Sequence, residues 1–295
     1  MKKKILVTGS SGFIAPHIIE ECLLKGWKVV AIDKKKPNIK IQGVKYLTKD
    51  IRKLSVREIY NFDYVIHMAF VTNIPFSIKE PLSTTNDNIN MTIYLMNLCV
   101  KAGIKKFLFP STASLYANNP IPWNENMKPD PIEPYSWQKL SCEYLCKMWF
   151  KRYGLKTVTL RLFQVFGENQ RTDTALSKFI ESKKLNRPIT LTASVAQSTF
   201  KTGLRDFVYV KDVAKAFLFA ANSKNTGKGE ILNIGSGKMT SMKKIAETIG
   251  GSVKFIPKRS FEVDAHLADL RFTKKTIKWR SRVNIIKWLK NFLSK

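Results

Sequence analysis

The chain has 295 residues, 44% hydrophobic and 25% charged, proportions that suit a folded chain with a large core and argue against disorder. Its 51 Lys and Arg against 22 Asp and Glu give a net charge of +29, but the cations are dispersed in small clusters such as Lys34–Lys36 and Lys274–Lys275. Without a basic arm, a lysine-rich solvated surface is the expectation and nucleic acid is not the expected partner.

Met1-Lys2-Lys3-Lys4 resembles the start of a signal segment, but Ile5-Leu6-Val7 is too short for its apolar core and Thr8-Gly9-Ser10-Ser11-Gly12 interrupts it. No apolar stretch reaches the roughly 18 residues of a membrane span, and Cys22, Cys99, Cys142 and Cys146 lack zinc-site spacing. A cytoplasmic chain with reduced thiols, no metal and no membrane contact is expected.

Ile5-Leu6-Val7-Thr8 reads as a short buried strand. It is followed by Gly9-Ser10-Ser11-Gly12-Phe13-Ile14-Ala15, a helical pattern ending at Gly26, and a second strand Val29–Ile32 that ends on Asp33. Strand, glycine turn, helix, strand and acid form a dinucleotide-binding unit. The glycines let backbone approach a pyrophosphate, the helix start offers unpaired N–H groups, and the acid accepts from ribose hydroxyls. The spacing Gly-x-x-Gly-x-x-Ala departs from Gly-x-Gly-x-x-Gly, and Ala15 asks for a wider contact between helix and strand. Asp33 favours NAD over NADP by repelling a 2′-phosphate, with Lys34, Lys35 and Lys36 behind it softening the preference.

Tyr64–Ala69, Lys106–Pro110 and Lys156–Arg161 read as further buried strands separated by helix-length segments. The fold class expected is α/β, a doubly wound parallel sheet whose site lies at the carboxyl ends of its strands. That rule places Asp50-Ile51, Ala69-Phe70, Ser111-Thr112 and Phe163-Gln164 beside a cofactor. Between the last two strands, Pro134-Tyr135-Ser136-Trp137-Gln138-Lys139 opens a helical run to Phe150, and the spacing of four puts Tyr135 and Lys139 on one face. A cation near a phenol favours its phenolate, so such a pair can move protons at an alcohol or carbonyl. The same pentapeptide also suits an ordinary exposed helical pair.

These blocks, with Phe107–Tyr116, Arg161–Gly167, Arg205–Val213 and Leu232–Gly237 in the same order, resemble the extended short-chain dehydrogenase/reductases, in their nucleotide-sugar epimerase/dehydratase branch. The resemblance covers nearly the whole chain. It implies that Gly9, Gly12, Phe13 and Ile14 form the pyrophosphate turn, Asp33 holds the ribose, Asp50 and Ile51 flank the adenine, Ala69 and Phe163 line the cofactor, and Asn88 sits near it. It implies catalysis by Thr112, Tyr135 and Lys139, with Tyr135 as acid/base and Lys139 lowering its pKa and holding the nicotinamide ribose. Gln164, Arg205, Arg259 and Glu262, with Thr112, are the implied substrate contacts, the arginines reaching a nucleotide diphosphate.

The resemblance also implies a Rossmann domain over residues 1–166 to which 204–234 return, a smaller substrate lobe of 167–203 and 235–295, and a homodimer built on helices near 88–102 and 135–153. Three departures stand out. Gln164 occupies a position where many relatives carry Asn, Ala117 replaces a Gly common after Leu115-Tyr116, and Leu191–Gly203 exceeds the usual short hairpin.

Thr112 is followed by Ala113-Ser114, not by the acidic residues common in dehydratases of this branch, which argues for epimerisation or ketone reduction. The reading is an NAD-dependent 4-epimerase of a UDP-sugar. The alternatives are an NAD(P)H-dependent nucleotide-sugar 4-ketoreductase and, in another class, a non-catalytic cofactor-binding scaffold contacting RNA or protein.

Overall fold

Ile5 and Val7 point to one side of the main sheet and Leu6 to the other, and each side meets its own apolar layer. The computed structural model describes residues 2–37, 39–193, 202–258 and 263–294. Its strands in chain order are β1 (Lys4–Thr8), β2 (Lys28–Asp33), β3 (Val44–Thr48), β4 (Tyr64–His67), β5 (Lys106–Thr112), β6 (Thr157–Leu162), β7 (Gln164–Phe166), β8 (Ile189–Thr192), β9 (Leu204–Tyr209), β10 (Lys228–Ile234), β11 (Met239–Ser241) and β12 (Val253–Ile256). A seven-stranded sheet has the order β10-β6-β5-β4-β1-β2-β3. All of its pairings are parallel.

Parallel strands need crossovers, and the crossover helices cover both faces, which is why the strand sequences are apolar without alternation. Ile18, Ile19 and Cys22 of the Ala15–Leu24 helix and Val213 and Phe217 of Val210–Asn222 pack on the side of Ile5 and Val7. Leu95 and Cys99 of Met91–Lys101 and Cys142, Cys146 and Trp149 of Pro134–Tyr153 pack on the side of Leu6 and Val65. From β1 the chain runs outward to β2 and β3, then returns to the other flank at β4. A crevice therefore opens beyond the ends of β1 and β4, where a ligand of such a sheet binds.

The smaller lobe contains a three-stranded sheet, β11-β9-β7, and a two-stranded one, β12-β8, around Phe166, Phe179, Phe207, Ile245 and Trp288. The strand expected from Arg205 forms, but it pairs with β7 and β11 and does not join the main sheet. Only the helix after it and β10 return. The reason is a side chain: buried Asp206 accepts from the backbone N–H groups of Ser236, Gly237 and Ala268, which ties β9 to the loop leaving β10. Among the described residues no helix is long and apolar enough to cross a membrane.

Candidate active site

Gly9 ends β1 with φ at +65°, and a Cβ there would lie 2.5 Å from the Ala69 backbone nitrogen. Only glycine fits, because the turn passes directly over the end of β4. The Gly12 N–H donates to Gly9 O at 3.0 Å, which closes the turn and starts the Ala15–Leu24 helix beside the crevice. The close approach is held from beneath. Ala69 N–H donates to Thr8 Oγ1, and Thr92 donates its hydroxyl to Asn88 O. Thr92 Oγ1 must then accept from His67 Nε2, leaving Nδ1 to accept the Thr8 hydroxyl at 2.9 Å. Burial pulls the pKa of His67 down to about 3, with the charge of Lys139 adding to the effect, so it is a neutral strut.

Two connected clefts meet at this turn. The smaller, about 180 Å³, is lined by Gly9, Gly12, Asp33, Asp50, Ile51, Arg52, Ala69 and Asp87 among others. Asp33 accepts the Ser11 and Lys35 backbone N–H groups, one on each carboxylate oxygen, which orients it at the cleft. Asp50 is gripped by Arg52 at 2.8 Å, and these hydrogen bonds hold its carboxyl down at about 2. Arg52, which also reaches Asp87 at 3.2 Å, carries no motif that would mark it in the sequence.

The larger cleft, about 760 Å³, runs from the turn, with Phe13 and Ile14, past Ser111, Thr112, Tyr135 and Lys139 to Phe163, Gln164 and the segment 169–172. Thr112 is the last residue of β5, and Tyr135 is in the first turn of Pro134–Tyr153. This 20-residue helix starts at the Glu133 N-cap and Pro134 and stops at Gly154, whose φ of +70° ends it in the left-handed region.

Burial pushes the Tyr135 phenol up to about 12, the Thr112 hydrogen bond and the charge of Arg171 pull it down, and Glu133 pushes it further up. Burial likewise draws Lys139 down to about 7. The groups that shift the Tyr135 phenol here are its burial, Thr112, Glu133 and Arg171. The Lys139 amine lies 3.6 Å from the centre of the Phe70 ring and donates to Pro110 O at 2.7 Å, and it is 5.9 Å from the centre of the Tyr135 ring. Its nitrogen is held by a carbonyl and aromatic faces.

Other expected contacts are elsewhere. Asn88 is fully buried, away from both clefts. Its side chain accepts from Val71 N and donates to Val71 O and Gln138 Oε1, so it braces the loop after β4 against the Tyr135 helix. Arg205 lines neither cleft. Its guanidinium donates to Leu204 O at 2.9 Å and Asp264 O at 3.2 Å. Arg259 and Glu262 lie outside the described residues, as does most of the long segment after Leu191.

Arg171 escapes a reading of the sequence because only folding brings it to the cleft. It donates to Thr72 from the loop after β4 and pairs with Asp173, whose other neighbour is Asn73 at 3.2 Å. Among the described residues lining the larger cleft, Lys139 and Arg171 carry the formal charges and no carboxylate is present, so the cleft favours an anionic ligand.

The model of the NAD dependent epimerase/dehydratase family matches residues 5–235 of this chain. A UDP-glucuronate 4-epimerase of Thermodesulfobacterium geofontis is 30% identical, the match covering 97% of this chain and 93% of the relative. Among solved structures, the UDP-N-acetylglucosamine 4-epimerase of Methanobrevibacter ruminantium, in complex with UDP-N-acetylmuramic acid, superposes with a TM-score of 0.89 at 28% identity, covering 100% of this chain and 98% of the other. The UDP-glucose 4-epimerase of Thermus thermophilus in complex with NAD gives 0.88 at 26% identity over 99% of this chain and 98% of the other.

Proposed function

Because this chain belongs to the NAD dependent epimerase/dehydratase family, we propose that it is an NAD-dependent nucleotide-sugar 4-epimerase acting on a UDP-sugar. The observation that carries the reading is one continuous cleft joining the glycine turn to Thr112, Tyr135 and Lys139, with apolar Ala113 next to Thr112 where an elimination would need an acid.

The donor set fits NAD. The Gly9 and Gly12 turn and the helix start would hold the pyrophosphate, Asp33 the adenosine ribose, Asp50 and Ile51 the adenine, and Lys139 the nicotinamide ribose. Bound NAD supplies a hydride acceptor in the first half of the reaction and a hydride donor in the second. Tyr135 as phenolate removes the proton of the C4 hydroxyl, Thr112 donates a hydrogen bond to the same oxygen, and the Lys139 amine stands beside them. After the ketone turns in the cleft, Tyr135 returns its proton to the oxygen on the opposite face. Arg171, at the outer end of the cleft, suits a phosphate or another anionic part of the substrate.

Incubation with UDP-glucose, UDP-N-acetylglucosamine and UDP-glucuronate tests this. The expected result is the C4 epimer of at least one, with no net change in NADH absorbance. Stoichiometric NAD(P)H oxidation on a 4-keto sugar without epimer formation would assign the ketoreductase in its place. Tight RNA binding at physiological salt with no turnover would assign the scaffold.

We also propose a homodimer packed along Pro134–Tyr153, where Trp137, Tyr144 and Met148 are exposed. Leu95, Leu98 and Trp149 on the two helices are core residues and leave the interface to these exposed side chains. A monomer mass in sedimentation would remove the proposal.

A further inference from the structure

Gln138 lies between Tyr135 and Lys139 on the helix Pro134–Tyr153, yet it lines neither cleft. Its amide is fully buried and paired at both ends. Oε1 accepts from Asn88 Nδ2 at 2.7 Å, and Nε2 donates to the hydroxyls of Thr84 and Thr85 at 3.0 Å each. An apolar side chain would pack in this space in several orientations, whereas an amide fits only where its partners meet it, so a satisfied buried amide specifies a single placement of its helix.

The partners lead in two directions. Asn88 sits in the π-helical turn Asn86–Asn90, a rare backbone form that recurs at functional sites. Its Oδ1 accepts the Val71 N–H at 2.7 Å and its Nδ2 donates to the Val71 carbonyl at 3.2 Å. The residue before Val71 is Phe70, whose ring is edge-on to Tyr135 at 6.1 Å and centred 3.6 Å from the Lys139 nitrogen. In the other direction, Thr92 donates to the Asn88 carbonyl at 2.7 Å and accepts from His67 at 3.0 Å, and His67 accepts from Thr8 beneath the glycine turn at 2.9 Å. Thr8, His67, Thr92, Asn88 and Gln138 are each fully buried. One line of hydrogen-bonded residues, closed to water, therefore joins the cofactor turn to the helix that bears Tyr135 and Lys139.

We propose that Gln138 is a positioning residue for the reaction above. Through Asn88 it fixes the Tyr135 helix against the loop after β4, so that the phenol, the Lys139 amine and the Phe70 ring stand in register with the glycine turn. The inference rests on Tyr135 being the proton carrier of that reaction. Proton and hydride transfer need near-attack geometry, and a displacement of about 1 Å costs up to about 100-fold in rate. Gln138 touches no reacting atom, so its loss should appear in kcat and little in KM.

Gln138→Leu keeps the volume and removes both hydrogen-bonding ends. In the full-length protein saturated with NAD, kcat on whichever of UDP-glucose, UDP-N-acetylglucosamine and UDP-glucuronate is turned over should fall about 10- to 100-fold, with KM within about threefold of wild type. Asn88→Ala should lose the same factor and the double variant no more, because the two residues act as one connection. Thr85→Val leaves the Asn88 bond intact and is the structural control: its melting temperature should drop with kcat unchanged. Should Gln138→Leu fail to fold, Asn88→Ala read against Thr85→Val decides the question. A kcat that holds in Gln138→Leu and Asn88→Ala, an equal fall in Thr85→Val, or losses that multiply in the double variant overturn the inference.

Crystal structures of the NAD complexes of wild type and Gln138→Leu give a readout without turnover. The Phe70 ring and the Tyr135 phenol should move by about 1 Å relative to the glycine turn. Unmoved side chains overturn the inference even if the enzyme turns over nucleotide sugars. A displacement in a protein that turns over no nucleotide sugar upholds the positioning and overturns the functional reading.

Discussion

Replacing Gly9 by Ala tests whether the turn is held by backbone contact. The new Cβ would meet Ala69 N at 2.5 Å, Ala69 Cα at 2.6 Å and Met68 C at 2.7 Å, all backbone atoms with no rotamer to escape into. Relief requires a shift of close to an ångström between the ends of β1 and β4, which are paired through Thr8 and His67. The shift would break the Ala69 N–H to Thr8 Oγ1 hydrogen bond of 3.1 Å.

The left-handed backbone costs a side chain about 1–2 kcal/mol, overpacking about 1–3 kcal/mol, and the lost hydrogen bond about 1 kcal/mol. The sum, about 3–6 kcal/mol, is a large share of the 5–15 kcal/mol or so that stabilises a typical domain. Gly26→Ala is the control, since Gly26 has φ +71° with nothing within 4 Å of a Cβ, and it should cost the backbone term alone. Urea unfolding followed by circular dichroism measures both, with the midpoint falling and the slope unchanged. NAD titration should show weak binding for Gly9→Ala only. Equal destabilisation of the two variants would refute the claim that the approach of β4 dictates glycine at position 9.

Tyr135→Phe should lower kcat at least about 100-fold while calorimetry still shows NAD binding, because it removes the proton carrier and leaves the cofactor contacts; near-normal turnover would take Tyr135 out of that role. The buried pair Arg161–Glu143, held at 2.8 and 2.7 Å, predicts that Glu143→Gln destabilises by about 3–5 kcal/mol and that an apolar replacement of both partners recovers most of it, both read from urea midpoints. His67, held at about 3 in the fold against about 6.5 unfolded, binds no proton in the native state over that window while the unfolded chain does. Its contribution is therefore whole above about pH 6.5 and falls by about 1.4 kcal/mol per pH unit down to about pH 3, a slope that His67→Gln should remove from the pH dependence of the urea midpoint. Ala117 has φ at +30°, a region where a side chain is strained, so Ala117→Gly should stabilise by about 1 kcal/mol, seen as a higher melting temperature.

Much of this architecture is legible in local pattern. Glycine at positions 9 and 12, an acid at 33 and apolar runs separated by helix lengths are short-range consequences of what a phosphate turn and a two-sided parallel sheet demand, and they locate the crevice by pattern alone. Thr112, Tyr135 and Lys139 can be named from strand ends and helical spacing, and all three line one cleft. Ala117 is legible in another way, since an alanine where glycine is usual marks a backbone conformation that the fold then shows.

What the tertiary structure decided concerns direction and partners across long separations. Spacing puts Lys139 on the face of Tyr135, but packing against Phe70 and Phe109 sends its side-chain nitrogen to Pro110 O, and burial favours the neutral form of each, raising the pKa of Tyr135 and lowering that of Lys139. Asn88 turns inward to Gln138, 50 residues away in sequence, and Arg171 reaches Thr72 across 99. Sequence pattern determines which residues stand at the end of a strand or on a face of a helix, because those periods are local. Where a long side chain is satisfied, and whether its charge survives burial, depends on neighbours that only the folded chain brings together.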